Sequence, residues 1–200
     1  MDFIKFIQDG GFFMYPILLV GVLGLAIVAE RLFFLQRVKK QNQGLWLEVQ
    51  PNISKGNLSG ALVQAKSSSS EVGLVLEYGL TVATTDGDME HIESALEEGL
   101  LESIPRLEAR TNYVAAFANI ATLLGLLGTV QGLIVAFASV ANADPAAKGD
   151  LLSGAISVAM NTTAFGLIVA IPLLLLYALL QSRTGEVVES LEMASIKLLN

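Results

Sequence analysis

Three stretches of this chain carry no charged residue: Gly10 to Ala29 (20 residues), Thr111 to Ala143 (33 residues) and Leu151 to Ser182 (32 residues). A helix rises about 1.5 Å per residue and the hydrocarbon layer of a bilayer is about 30 Å thick, so roughly 20 apolar residues suffice to cross it. All three stretches qualify. The second and third exceed that length by about a dozen residues each, so their extra turns are expected to project into water. With 53% hydrophobic and 16% charged residues sorted in this way, the chain reads as an all-α membrane protein with three transmembrane helices and long cytoplasmic helical extensions.

The first stretch reads as a retained span and not a cleaved signal: Asp2 and Asp9 stand against a single Lys5, and Glu30-Arg31 follows without a small-residue cleavage site. Residues 1–15 alternate apolar pairs with Asp2, Lys5, Gln8 and Asp9, which fits either a short helix lying at the outer interface or an ordinary flanking turn. Of 12 basic residues, ten lie at Arg31, between Gln36 and Arg110, or at Arg183 and Lys197, against Lys5 and Lys148 elsewhere. Basic residues mark the cytoplasmic side, which places the N-terminus outside and the C-terminus inside.

The predicted layout is therefore an outer interfacial helix at 1–15, spans at 16–35, 111–140 and 151–182, a cytoplasmic helical region at 36–110, a short outer loop at 141–150 and a cytoplasmic tail helix at 183–200. Loops are expected at Ser54–Asn57 and Ser67–Ser70. Met89, Ile92, Leu96, Leu100, Ile104 and Leu107 recur at three- and four-residue steps, with glutamates between them, marking an amphipathic helix. The pattern passes Pro105 and Arg110 and predicts one rod running into the second span.

The absence of cysteine excludes disulfides and thiolate chemistry, and the lone His91 excludes a histidine cluster. No nucleophile–base pair, metal cluster or phosphate loop is present, so no enzyme and no cofactor are expected. A net charge of −7 gives no surface for nucleic acid. Glu30 and Arg31 are expected to anchor the first span at water and lipid headgroups. His91 and the glutamates Glu97, Glu98, Glu102 and Glu108 fit a solvated helix face, and Trp46 fits either a membrane-interface anchor or the cytoplasmic bundle.

Within the spans the informative residues are small or hydroxylated. Thr122, Gly125, Thr129, Gly132 and Ala136 form a stripe of little volume, and Gly128 to Gly132 fits the small-xxx-small pattern of close helix packing. Ser153, Ser157 and Asn161 lie four apart, followed by Thr162 and Thr163. Each hydroxyl has two roles open to it: bonding a helix carbonyl, or solvating an ion. Ser and Thr do not titrate near neutrality, so if ions move here the acid belongs to another chain.

The segments Leu123-Leu124-Gly125-Leu126-Leu127-Gly128-Thr129-Val130-Gln131-Gly132 and Thr162-Thr163-Ala164-Phe165-Gly166-Leu167-Ile168-Val169-Ala170-Ile171-Pro172 resemble the MotA/TolQ/ExbB proton-channel family, with the ExbB/TolQ branch the nearer. Glu30-Arg31-Leu32 closing the first span and the Glu-rich approach to the second extend the resemblance along the chain. It implies a homopentamer around a central pore that holds a dimer of a single-span ExbD/TolR-like partner with a membrane aspartate. Ion flow then drives rotation, delivered to a TonB/TolA-like energy transducer. The transported ion would be H+ or Na+. By this resemblance Thr129 and Thr163 match the pathway threonines; the clustering on the third span adds Thr162, Ser157 and Asn161 to the pathway, and Gly125, Gly128, Gly132 and Gly166 are assigned to helix packing. One position departs: many members carry a glutamate five residues before the third-span threonine, and here it is Val158. A flagellar or gliding stator-like channel subunit and a non-conducting membrane scaffold are the alternatives.

Overall fold

The computed structural model describes residues 6–7, 10–141 and 143–199. The described residues form six helices: α1 (Met14–Ser54), α2 (Leu58–Ser67), α3 (Glu71–Thr85), α4 (Met89–Glu108), α5 (Thr111–Ala141) and α6 (Lys148–Leu199). Three helical stretches among them are long and apolar enough to cross a membrane, and they take in residues 14–29, 111–141 and 151–182 of the uncharged blocks. Of residues 1–15, for which an interfacial helix or a flanking turn was predicted, residues 1–5, 8 and 9 lie outside the described residues.

Two compact units divide the chain: residues 1–29 with 110–178, and residues 30–109 with 179–200. In the first, Gly21 and Gly24 on α1 lie against α6; a Cβ built on them would stand 2.9 Å from Val169 and Leu173 methyl carbons respectively. The outward surface of α5 is apolar, with Leu123, Leu126, Ile134 and Phe137 exposed. Helices apolar all round suit lipid or a membrane-embedded neighbour, not water. This is a multi-pass membrane protein.

In the second unit, Leu35, Val38, Leu45 and Val49 repeat at helical spacing along α1 and are buried, as are Val72, Val75, Leu76 and Leu80 on α3, Leu96 and Leu107 on α4, and Val187 and Leu191 on α6. Burial of about 1.5–3 kcal/mol per large side chain holds such a bundle together. Ser70 and Asp88 cap the starts of α3 and α4 through side-chain bonds to the amides of Gly73 and Glu90, supplying partners to otherwise orphaned donors. Trp46 is half-buried in this unit with the Lys197 ammonium 5.2 Å from its ring centroid, which decides for bundle packing.

Three predicted features differ. The uninterrupted rod through Arg110 does not form: helix stops at Glu108 and resumes at Thr111, and Arg110 adopts φ 64°, which no L-residue takes inside a helix. Pro105 stays within α4. The third span and the tail are one continuous helix, α6. Arg31 is not a headgroup anchor. It is 3% exposed, donates to the Leu107 carbonyl and has its guanidinium 4.4 Å from the Phe34 ring centroid. The break after α4 explains this, since the last carbonyls of a helix lack intrahelical donors and favour a cation beside them. Glu30 remains exposed.

Candidate ion-pathway site

The small residues of α5 set how near α6 approaches. A Cβ added to Gly166 would fall 2.7 Å from the Ala121 carbonyl oxygen and 3.1 Å from Gly125 Cα; one on Gly132 would fall 2.8 Å from Ala159 Cβ, and one on Gly128 would meet Thr162 Cγ2 at 2.4 Å. Partner numbers fall on one helix as they rise on the other, so α5 and α6 run antiparallel and touch backbone to backbone. Gly125 and Gly166 form the centre of the crossing.

This closeness brings Thr129 and Thr163 together. Their hydroxyl oxygens are in hydrogen-bond contact, and both donate toward one acceptor, the Gly125 carbonyl, at 3.2 Å from Thr129 and 2.9 Å from Thr163. Thr129 makes the bond to the carbonyl four residues back that is usual for a helical threonine, as Thr122 does to Ala118. Thr163 does not use its own helix. Its proton crosses to α5.

A hydroxyl has one proton and a carbonyl has none. Two protons therefore serve three contacts: either Thr163 donates to Gly125 and Thr129 to Gly125 or to the Thr163 oxygen, or Thr129 donates to Gly125 and Thr163 to the Thr129 oxygen. Both protons are directed inward, and what the pair offers outward is lone pairs. Both threonines are half-buried.

The other predicted site residues separate from this pair. Thr162 is 2% exposed and its hydroxyl donates to the carbonyls of Gly10 at 2.7 Å and Val158 at 3.0 Å, so it clamps the chain before α1 onto α6. Ser157 is exposed and Asn161 half-buried; at 3.6 residues per turn they stand about 120° and 160° round α6 from Thr163. Val158 is half-buried, with a methyl carbon 3.4 Å from the position of a Cβ at Gly11, where φ is +80°. The shared Gly125 carbonyl was not foreseen in the sequence. Its only advance signal is the Gly125–Thr129 spacing of four, which places a hydroxyl over that carbonyl.

Residues 67–193, more than half of the chain, match the model of the MotA/TolQ/ExbB proton channel family. The chain belongs to this family. Among its relatives is the putative biopolymer transport protein ExbB homolog of Methanothermobacter thermautotrophicus, 25% identical over 192 residues that cover 95% of this chain and 67% of that protein. The biopolymer transport protein exbB1 of Vibrio cholerae is 28% identical over 166 residues, covering 82% and 73%. The Tol-Pal system protein TolQ of Haemophilus influenzae is 31% identical over 93 residues, covering 46% and 40%. These likenesses put the chain on the ExbB/TolQ branch of the MotA/TolQ/ExbB family, and its membrane role is that of an ion-channel motor subunit.

Proposed function

We propose that five copies of this chain enclose two copies of a single-span ExbD/TolR-like partner in the inner membrane of a bacterium, with N-termini periplasmic and C-termini cytoplasmic. Protons cross by way of an aspartate on the partner's span, and the resulting motion is passed to a TonB/TolA-like transducer. The chain itself performs no enzymatic step and holds no cofactor. Its part is to line the path with oxygen atoms that cannot titrate.

The single observation that carries this proposal is the Thr163 hydroxyl crossing to the Gly125 carbonyl beside Thr129. Threonines that merely bonded their own helices would leave no shared oxygen pair. A cation finds lone pairs there, and a protonated carboxyl of the partner finds an acceptor. The blocks Thr111 to Ala143 and Leu151 to Ser182 supply no charge of their own, and Val158 keeps it so; the titrating group is then the partner's.

The test is ion flux in vesicles reconstituted with the chain and the single-span partner. Thr129→Val and Thr163→Val each keep the side-chain shape and remove the oxygen. Each is expected to cut gradient-driven flux at least tenfold, the effect of losing about 1.4 kcal/mol or more of ion stabilisation, while the oligomer and the partner stay bound. Wild-type flux in both variants would show that the path lies elsewhere. Replacing sodium by an impermeant cation in the same assay separates H+ from Na+ coupling.

A further inference from the structure

Thr129 stands at one end of a polar line on α5. Counted round the helix at about 100° per residue, Thr122 lies about 20° from Thr129, Asn119 about 80° and Asn112 about 100°, all in the same sense. All three are exposed. Thr111, Ala115 and Leu126 are the other residues of this sector between the start of α5 and Thr129. The neighbouring sector at the same heights is apolar and exposed: Leu123 stands about 120° from Thr129, Leu127 about 160° and Ile120 about 180°. Beyond Thr129 the polar character ends, and Val130, Leu133 and Phe137 fill the sector. The line therefore serves only the half of α5 that adjoins α4.

Its side chains keep hydrogen-bonding capacity to spare. Thr122 gives its proton to the Ala118 carbonyl at 3.2 Å and retains its lone pairs. Asn112 accepts from the Tyr177 hydroxyl at 3.4 Å. Asn119 has no side-chain partner among the described residues. An amide turned to hydrocarbon with neither partner nor water is costly, so polar side chains on a span face a bundle interior or water. Lipid suits the Ile120–Leu123–Leu127 side of this helix and does not suit the Asn112–Asn119–Thr122 side.

We propose that Asn112, Asn119 and Thr122 line a water-filled vestibule that leads from the cytoplasmic side toward the Thr129–Thr163 pair and lets the transported ion reach the cytoplasm. Leu126, 56% exposed, ends the wetted stretch below Thr129. The vestibule rests on the pathway and orientation proposed above, but its test reads water and not flux.

The chain has no cysteine, so a single introduced thiol has no background. N119C, I120C, T122C and L123C are each made in the full chain and co-expressed with the single-span partner. Inverted membrane vesicles, which expose the cytoplasmic face, are treated with a charged, membrane-impermeant methanethiosulfonate. Thiols left unmodified are then counted on this chain, after denaturation, by the gel shift of a maleimide polymer. Residues adjacent in sequence differ by about 1.5 Å in height, so each neighbouring pair compares two sides of one helix at one depth. N119C is expected to react about tenfold faster than I120C, or more, and T122C likewise against L123C, because the reactive thiolate forms in water and is suppressed in an apolar setting. If N119C fails to assemble with the partner, T122C and L123C decide. Equal rates within a pair, which a helix merely emerging among headgroups would give, or no reaction at positions 119 and 122, would overturn the proposal. Fast thiols at both positions combined with wild-type flux in Thr129→Val and Thr163→Val would keep the vestibule and remove the threonine pathway; silent thiols with flux lost in those variants would do the reverse.

Discussion

Gly166→Ala probes the close backbone approach of α6 to α5, and the size of its effect follows from a comparison within one helix. The new methyl carbon would stand 2.7 Å from the Ala121 carbonyl oxygen and 3.1 Å from Gly125 Cα. Both neighbours are backbone, so neither can rotate away, and relief requires α5 to move. Overpacking of this kind costs about 1–3 kcal/mol. Alanine also favours helix over glycine by about 1 kcal/mol, which blurs a single measurement. Gly185→Ala removes the ambiguity: Gly185 lies on the same α6 with nothing within 4 Å of its built Cβ, so it carries the propensity gain without the clash. The difference between the two variants is then the steric cost alone, about 1–3 kcal/mol, or roughly 5- to 150-fold in the folding equilibrium. Unfolding of each variant in detergent micelles, followed by circular dichroism, measures it. If Gly166→Ala proves as stable as Gly185→Ala, the two helices do not meet backbone to backbone at Gly125.

Arg31→Gln is expected to destabilise the protein by about 1.5–3 kcal/mol, the worth of a hydrogen bond from a charged group, and Arg31→Lys to recover only part of this because an ammonium lacks the plane that stacks on Phe34; thermal unfolding of both checks it. His91 titrates above its ordinary 6.5 because Asp86, 2.5 Å away, bonds its ring, with the charges of Asp86 and Asp88 adding to the effect. Raised in the folded state, its contribution to stability is full below 6.5 and fades as pH rises through the folded value. NMR titration of this single histidine should show the raised midpoint, and Asp86→Asn should bring it down. Glu186 titrates below its ordinary 4.5, chiefly through its bond to Lys39. Its contribution is present above 4.5 and lost as pH falls through the lowered value, so Lys39→Met should flatten the acid limb of the pH–stability curve.

The long-range architecture was legible because charge avoidance is a property of consecutive residues. Three uncharged blocks translate directly into three long helices, and Lys55-Gly56 and Ser68–Ser70 interrupt the bundle where turn-forming residues cluster. What escaped depends on contacts between distant segments. Arg31 at the end of an apolar run has the form of an interfacial anchor, and only the position of the α4 terminus, 76 residues on, converts it into a buried cap. The break at Ala109–Arg110 has no glycine or proline to announce it, whereas Pro105, the evident candidate, is accommodated. The periodicity of Ser153, Ser157 and Asn161 was plain, but a repeat does not say which face meets α5. Thr162 and Thr163 are adjacent in sequence and about 100° apart on the helix, so one is spent on Gly10 while the other reaches Gly125.

That division also bears on how the proposed pathway distinguishes two states of a partner's acid. An ionised carboxylate seeks hydrogen-bond donors, and the Thr129–Thr163 pair has its protons committed to Gly125 and to each other. To donate outward, Thr163 must turn away from the Gly125 carbonyl, at a net cost of about 0.5–1.5 kcal/mol. A protonated carboxyl needs no such turn, because it brings its own donor to the waiting lone pairs. Thr163→Ser keeps the oxygen and frees its rotation, since serine lacks the methyl that stiffens χ1. It is expected to retain flux where Thr163→Val loses it, with a bond to Gly125 that is populated less fully. A serine variant as inactive as the valine variant would mean that packing of the methyl, and not the oxygen, is what position 163 contributes.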